Sequence, residues 1–198
     1  MSDKTILNEN YIKSLFKSHK EIMDSYFSRY SQVVERITEM ENEVIYSVSV
    51  PGMDYSHTPV NSSAINDSTF NAVEKLDKLR KTDSLYLYKE LSRLRSKVDE
   101  INCILDIFRS LQTHIPIHFE ITNHLYYLNE SYDYCETHFN RTTMTIKTMA
   151  NTTVSLVCKF FNDGITSNEI NEMSNSEFVS YIGEELYIKI QNKEMKKR

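Results

Sequence analysis

The sequence predicts an all-α fold, with a long helical hairpin or coiled-coil N-terminal part followed by a C-terminal helix-turn-helix bundle. The 198 residues include only three glycines and three prolines, far below the ordinary usage of about 7% and 5%. Barrels and sandwiches rich in tight turns need more residues that accept positive φ, so these folds are disfavoured. Apolar residues also recur at steps of three and four along two long segments, which is the period of an amphipathic helix.

The first apolar seam lies in residues 1–50, which we interpret as an N-terminal long helix. Its regular part consists of Met23, Tyr26, Tyr30, Val33, Ile37, Met40 and Val44. The pattern ends at Pro51 and Gly52, which both interrupt helices. Residues 51–70 then form a predicted flexible linker loop, because Asp, Asn, Ser and Thr dominate this stretch and bury little surface.

The second seam lies in residues 71–112, a predicted second long helix. Its members are Leu87, Leu91, Leu94, Val98, Ile101, Leu105 and Phe108. The seam is less regular before Leu85, which allows a break near Lys81 to Ser84. Two such seams joined by a loop predict either an antiparallel hairpin or a dimerising coiled coil.

Residues 117–190 are predicted to form the helix-turn-helix domain, after Pro116 ends the second long helix. Within it we expect helices at Ile117–Leu128, Ser131–Phe139, Thr142–Phe161 and Ser174–Ile190. Residues 191–198 are a basic tail that we expect to fray.

The segment from Ser131 to Lys147 has the layout of a helix-turn-helix. Ser131 and Thr142 are good N-cap residues, since a hydroxyl can accept from an otherwise unpaired N–H of the first helical turn. Asn140 and Arg141 supply a turn between the two caps. The second helix then has a predicted buried stripe made of Ile146, Met149, Ala150, Val154 and Val157.

This segment resembles the helix-turn-helix of sigma-70 region 4, whose signature is approximately Ile-Ala, then Leu, then Ser-x-x-Thr-Val. Cys135 stands at the Ile position and Phe139 at the Leu position. Thr142 stands at the Ser position, and Thr145 with Ile146 at Thr-Val. The match extends from Phe119 to Val157.

The chain also resembles, in size and helical layout, the phage transcriptional regulators of the RinA and ArpU type. The resemblance implies a sequence-specific regulator that binds double-stranded DNA and activates late genes. We expect a homodimer, because helix-turn-helix proteins commonly dimerise to match two half-sites. The N-terminal seams would mediate self-association or contact with host RNA polymerase. One residue departs from the signature: Glu136 stands where an alanine lets the two helices approach. A carboxylate there must point outward or push the helices apart.

The charge of this segment favours the same function locally. Between Phe139 and Phe161 there are three cations and no acid, and a few such cations can neutralise phosphates. The start of the second helix of a helix-turn-helix enters the major groove. The candidate DNA-binding residues are therefore Arg141, Thr142, Thr143, Thr145, Lys147, Thr148, Asn151 and Lys159.

Several other classes are disfavoured by the sequence. The net charge of −5 gives no overall attraction to DNA or membrane, and we predict neither a signal peptide nor a membrane helix. Three cysteines without CxxC spacing fit the reducing cytoplasm. His114 and His118 have helical metal-ligand spacing, but Pro116 lies between them, so we predict no metal site. We also predict no cofactor and no enzymatic activity.

Two alternatives remain open at this stage. In the first, the apolar seams belong to an adaptor or inhibitor, a helical protein–protein interaction module without DNA binding. In the second, the chain is a phage small terminase subunit, which is also helical and binds DNA but forms a ring.

Overall fold

The structure is a computed structural model that describes residues 6–48, 68–79, 81 and 84–195. Every regular element in these ranges is helical, so the all-α prediction is confirmed. None of the described helices combines the length and the apolar character that crossing a membrane requires. The α-helices in this part of the chain are α1 Glu9–Val48, α2 Ser68–Lys78, α3 Leu85–Ser110, α4 Pro116–Thr122, α5 Tyr132–Phe139, α6 Thr143–Asp163, α7 Ser167–Glu172, α8 Asn175–Ile182 and α9 Glu184–Met195.

The second long helix predicted for residues 71–112 is interrupted between α2 and α3, at the break that the irregular seam allowed near Lys81 to Ser84. The break includes Ser84, whose N–H and hydroxyl both donate to the carbonyl of Leu79 at 2.8 Å. These bonds divert the backbone from the helical pattern near the place where the apolar seam is irregular. Most of the predicted linker at 51–70 lies outside the described residues, and only residues 68–70 are seen, in α2.

The C-terminal predictions also need two corrections. The helix predicted at Ser174–Ile190 is two helices, because Gly183 adopts φ 93° and ψ 137° between α8 and α9. The tail that we expect to fray is helical at residues 191–195, which form the end of α9. Residues 196–198 lie outside the described part.

The chain divides into two compact units, and the division passes through α1 and α3 rather than between predicted domains. Unit 1 comprises Met1–Met23 and Val98–Arg198, and unit 2 comprises Asp24–Lys97. The predicted N-terminal long helix therefore does not belong to one unit.

The core of unit 1 is built around α6. Helix α4 and helix α5 both pack on it. An aromatic chain continues this core, since the Phe108 ring centroid lies 4.6 Å from that of Phe16 and 4.7 Å from that of Phe119. The start of the chain is fixed there too: the Leu7 N–H donates to Asn162 Oδ1 at 2.9 Å.

Unit 2 has a separate core made by the two predicted apolar seams. Its buried residues are Val33 and Ile37 of α1 with Leu87 and Leu94 of α3. Polar pairs flank them: Arg95 Nη2 donates to the Tyr30 hydroxyl at 2.9 Å, the Tyr88 hydroxyl donates to Glu41 Oε1 at 2.8 Å, and Arg29 pairs with Glu90 at 2.8 Å. A hairpin connection between the seams would run through residues outside the described part.

Candidate nucleic-acid interface

The two helices of the predicted motif, α5 and α6, are joined by residues 140–142. At the start of α5, Ser131 Oγ accepts from the Tyr134 N–H at 3.1 Å. The helix ends at Asn140, which has a left-handed φ of 50°, a conformation that asparagine accepts more readily than most residues. Thr142 then caps α6, because its Oγ accepts from the Thr145 N–H at 3.3 Å.

The predicted inner face of α6 is fully buried. The side chains of Ile146, Met149, Ala150, Val154 and Val157 are all 0% exposed, as is Cys135 on α5. Burial raises the pKa of the Cys135 thiol, so this cysteine is a packing residue rather than a reactive one.

Sequence reasoning missed one polar residue inside this stripe. Thr153 is 0% exposed, and its hydroxyl lies 3.2 Å from the carbonyl oxygens of both His118 and Met149. A buried hydroxyl needs such partners, and the bond to His118 ties α6 to α4. The helical period places Thr153 next to the predicted buried positions, so its burial could have been predicted. Its hydrogen bond to His118 could not, because His118 is 35 residues away in the sequence.

The opposite side of α6, over its first three turns, is polar and accessible. Thr143, Met144 and Lys147 are exposed, while Thr145 and Thr148 are half-buried. The Thr148 hydroxyl donates to the Met144 carbonyl at 2.7 Å, so its oxygen keeps its acceptor capacity. We call this surface, with Thr142 and Asn151, the α6 polar face. Asn151 is half-buried and accepts from the Tyr126 hydroxyl at 3.4 Å.

Arg141 does not lie on the α6 polar face. Its side chain is 4% exposed, and its Nη2 donates to the carbonyl of Glu194 at 2.6 Å. Its Nε and Nη1 are buried and have no partner among the described residues. The role predicted for Arg141, phosphate or guanine contact, does not fit this burial, because α9 covers the guanidinium.

Lys159 is also separated from the α6 polar face. It lies about 24 Å along the helix axis from Thr143. Its Nζ donates to the Tyr181 carbonyl at 2.9 Å and stands 4.4 Å from the centre of the Tyr181 ring. The predicted phosphate anchor is thus engaged with α8.

Glu136 occupies the start of α6. Its carboxylate accepts from both the N–H and the hydroxyl of Thr143. An anion at a helix N-terminus is favoured by the unpaired N–H groups and the helix dipole. The residue that departs from the sigma-70 region 4 signature therefore acts as a second cap on α6, and a phosphate would have to displace it to reach these donors.

The two histidines considered as metal ligands have protein partners instead. His114 Nε2 lies 2.9 Å from the Ile170 carbonyl, and His118 Nδ1 lies 3.1 Å from Glu194 Oε1. Among the described residues, no group of three or more His, Cys, Asp or Glu side chains is placed to hold a metal ion.

Comparison of the chain with protein-family models, with curated proteins and with solved structures found no match.

Proposed function

We propose that the chain is a sequence-specific DNA-binding transcriptional regulator that contacts double-stranded DNA with the α6 polar face. The α6 polar face itself carries this proposal. A row of mostly polar side chains, exposed at Thr142, Thr143 and Lys147 and half-buried at Thr145, Thr148 and Asn151, follows a capped three-residue connection. A fully buried stripe on the other side of the same helix holds the row rigid. A rigid helix with polar residues in its first turns suits insertion into the major groove.

The structure changes which residues we assign to the contact. Lys147 is the cation on this face, and Arg141 and Lys159 are withdrawn from it because both are engaged elsewhere. The methyl groups of the threonines suit the thymine methyl. The Thr143 and Thr148 hydroxyls already donate within the chain, so a phosphate would have to replace those acceptors. One cation supplies little phosphate neutralisation, so we propose that a homodimer binds two half-sites. The RinA and ArpU resemblance extends the proposal to phage late-gene activation with host RNA polymerase as a partner.

The test is the selection of genomic fragments by the purified chain at near-physiological salt, with Lys147→Ala alongside. We expect an enriched fragment whose affinity falls about tenfold in the variant. The log–log salt slope of binding should also change by about 0.9, the value for one lost phosphate contact. Lys189→Ala is the matched control, because Lys189 is exposed on α9, and it should bind as the parent does.

Failure of the selection, or equal binding by Lys147→Ala, would contradict the proposal. The protein–protein interaction module is then the candidate, since Phe27 and Tyr86 of unit 2 are 53% and 61% exposed and such rings are common at interfaces. A measured solution mass separates the proposed dimer from the ring expected of a small terminase subunit.

A further inference from the structure

A cavity of about 440 Å³ lies in unit 1 beside the α5–α6 connection. Its volume falls within the range of about 300–1,000 Å³ that is typical of small-molecule sites. We call it the Arg141 cavity. It is lined by Pro116, Ile117 and Glu120 of α4, His138 and Phe139 of α5, and Asn140 and Arg141 of the connection.

Arg141 is the unusual member of this lining. A guanidinium has five N–H bonds; Nε carries one of them and Nη1 two, and these three meet no acceptor among the described residues. Within the described part of the chain, Nη2 alone has a partner, the carbonyl of Glu194. No described carboxylate forms an ion pair with Arg141. A buried cation without a counter-ion is unfavourable unless an anion joins it.

The other polar lining residues indicate what kind of anion fits. His138 and Asn140 are exposed at the cavity and offer further polar groups. Glu120 also lines it and is half-buried, so a bare anion would meet a like charge. A ligand that carries a hydroxyl or ammonium next to its anionic group satisfies both side chains.

We propose that the Arg141 cavity binds a small organic oxyanion, either a carboxylate or a phosphate monoester, that also carries an ammonium or hydroxyl group. The oxyanion pairs with Arg141, whose buried Nε and Nη1 have to turn toward the cavity when the ligand enters, and the donor group pairs with Glu120. This site goes beyond the proposed function, because it requires neither DNA nor the α6 polar face. Arg141 directly precedes the Thr142 cap, so the bound anion also fixes the connection between α5 and α6.

The test follows the Nε–H signals of the arginine side chains of the intact chain in ¹H–¹⁵N spectra at constant ionic strength. The probes are inorganic phosphate and acetate, then phosphoethanolamine and glycine, which add an ammonium group. The Arg141 signal is assigned by through-bond spectra of the parent chain, so the test does not depend on a folded Arg141 variant. Arg109, which is exposed on the end of α3, provides the internal control.

We expect a saturable shift of the Arg141 signal alone, with a dissociation constant of about 1 mM or tighter for an ammonium-bearing probe. If phosphoethanolamine alone shifts the signal, the ligand is a phosphate monoester. If glycine alone shifts it, the ligand is a carboxylate. The ammonium-bearing probe should bind at least about threefold tighter than its plain counterpart, and Glu120→Gln should remove that preference. An Arg141 signal that shows no saturation by about 50 mM, or that shifts in parallel with Arg109, would overturn the proposal.

Discussion

At the scale of single residues, Glu194 contacts two residues that no local sequence pattern reveals as its partners. Its Oε1 lies 3.1 Å from His118 Nδ1 and 3.4 Å from the His118 backbone nitrogen. Its carbonyl accepts from Arg141. His118 is 0% exposed, so this carboxylate is the acceptor that a fully buried ring nitrogen depends on. One residue of α9 therefore satisfies groups on α4 and on the α5–α6 connection.

We predict that Glu194→Ala destabilises the chain by about 1–3 kcal/mol, the usual penalty for leaving a buried polar group without its partner. Urea unfolding monitored by circular dichroism measures this difference. Glu185→Ala is the matched control on the same helix, since Glu185 is exposed, and it should change stability by no more than about 0.5 kcal/mol. Equal effects of the two substitutions would show that the contact with His118 contributes nothing.

The position of Arg141 explains why the site was only partly predictable from sequence. The caps at Ser131 and Thr142 and the buried stripe of α6 depend on neighbours within a few residues, and the pattern predicted them. The burial of Arg141 depends on Glu194, which is 53 residues away in the sequence. From sequence alone, a cation that follows a turn, such as Arg141, is predicted to be exposed. Its burial becomes predictable only when the contact with α9 is known.

At the scale of elements, α7 and α8 both begin with a capping box. Thr166 and Glu169 bond reciprocally at the start of α7, as Ser174 and Glu177 do at the start of α8. The hydrogen bonds from the Ser174 hydroxyl and N–H lower the pKa of the Glu177 carboxyl. Short helices have few internal hydrogen bonds, so capping hydrogen bonds contribute a larger share of the stability of α7 and α8 than of α1 or α6.

Glu177→Gln should therefore lower the stability of the chain at pH 7, and the difference in stability between variant and parent should shrink in acid. A carboxyl with a lowered pKa in the folded chain stabilises it above the unfolded value of about 4.3, and this contribution is lost as pH falls through the folded value. Thermal unfolding of the variant and the parent should differ at neutral pH and converge near pH 3. Glu172→Gln, which alters an exposed acid at the end of α7, should show no such loss, and a constant Glu177→Gln difference across this range would contradict the capping role.

The same two helices show where periodicity fails as a predictor. Phe178, Ile182, Leu186 and Ile190 continue a four-residue spacing across the end of α8, and this predicted one helix. Gly183 interrupts it with a backbone conformation that side chains with a Cβ rarely adopt. The four-residue spacing continues across Gly183 because both helices bury apolar residues at that spacing. The pattern therefore does not reveal that one helix ends and another begins there.

At the scale of the whole molecule, each of the two units has its own buried core. Phe16 is 0% exposed in unit 1, and Leu94 is 8% exposed in unit 2. The apolar seams of α1 and α3 predicted Leu94 of unit 2 and Ile101, Leu105 and Phe108 of unit 1, which are all buried, but not Phe16. They did not predict that one helix serves two cores, because the helical period is the same on either side of the division.

Substitutions in the two cores should have separable effects. Phe16→Ala should cost about 3–5 kcal/mol and Leu94→Ala about 2–5 kcal/mol. In hydrogen exchange followed by mass spectrometry, the first should lower protection mainly in α6. The second should lower protection mainly in residues 24–48 and 85–97. A uniform loss of protection after either change would show that the two units unfold as one.

The division of the chain has a consequence for its synthesis. Unit 1 joins residues at the start of the chain to residues made much later, as the bonds between Leu7 and Asn162 show. At about 5–20 residues per second, Leu7 waits roughly 8–30 s for Asn162 to be translated. In the first part of that interval the Phe16 ring lacks Phe108, which lies 4.6 Å from it in the folded chain. The apolar start of the chain is thus open to aggregation or chaperone capture during synthesis, and the sequence of unit 2 is complete before that of unit 1.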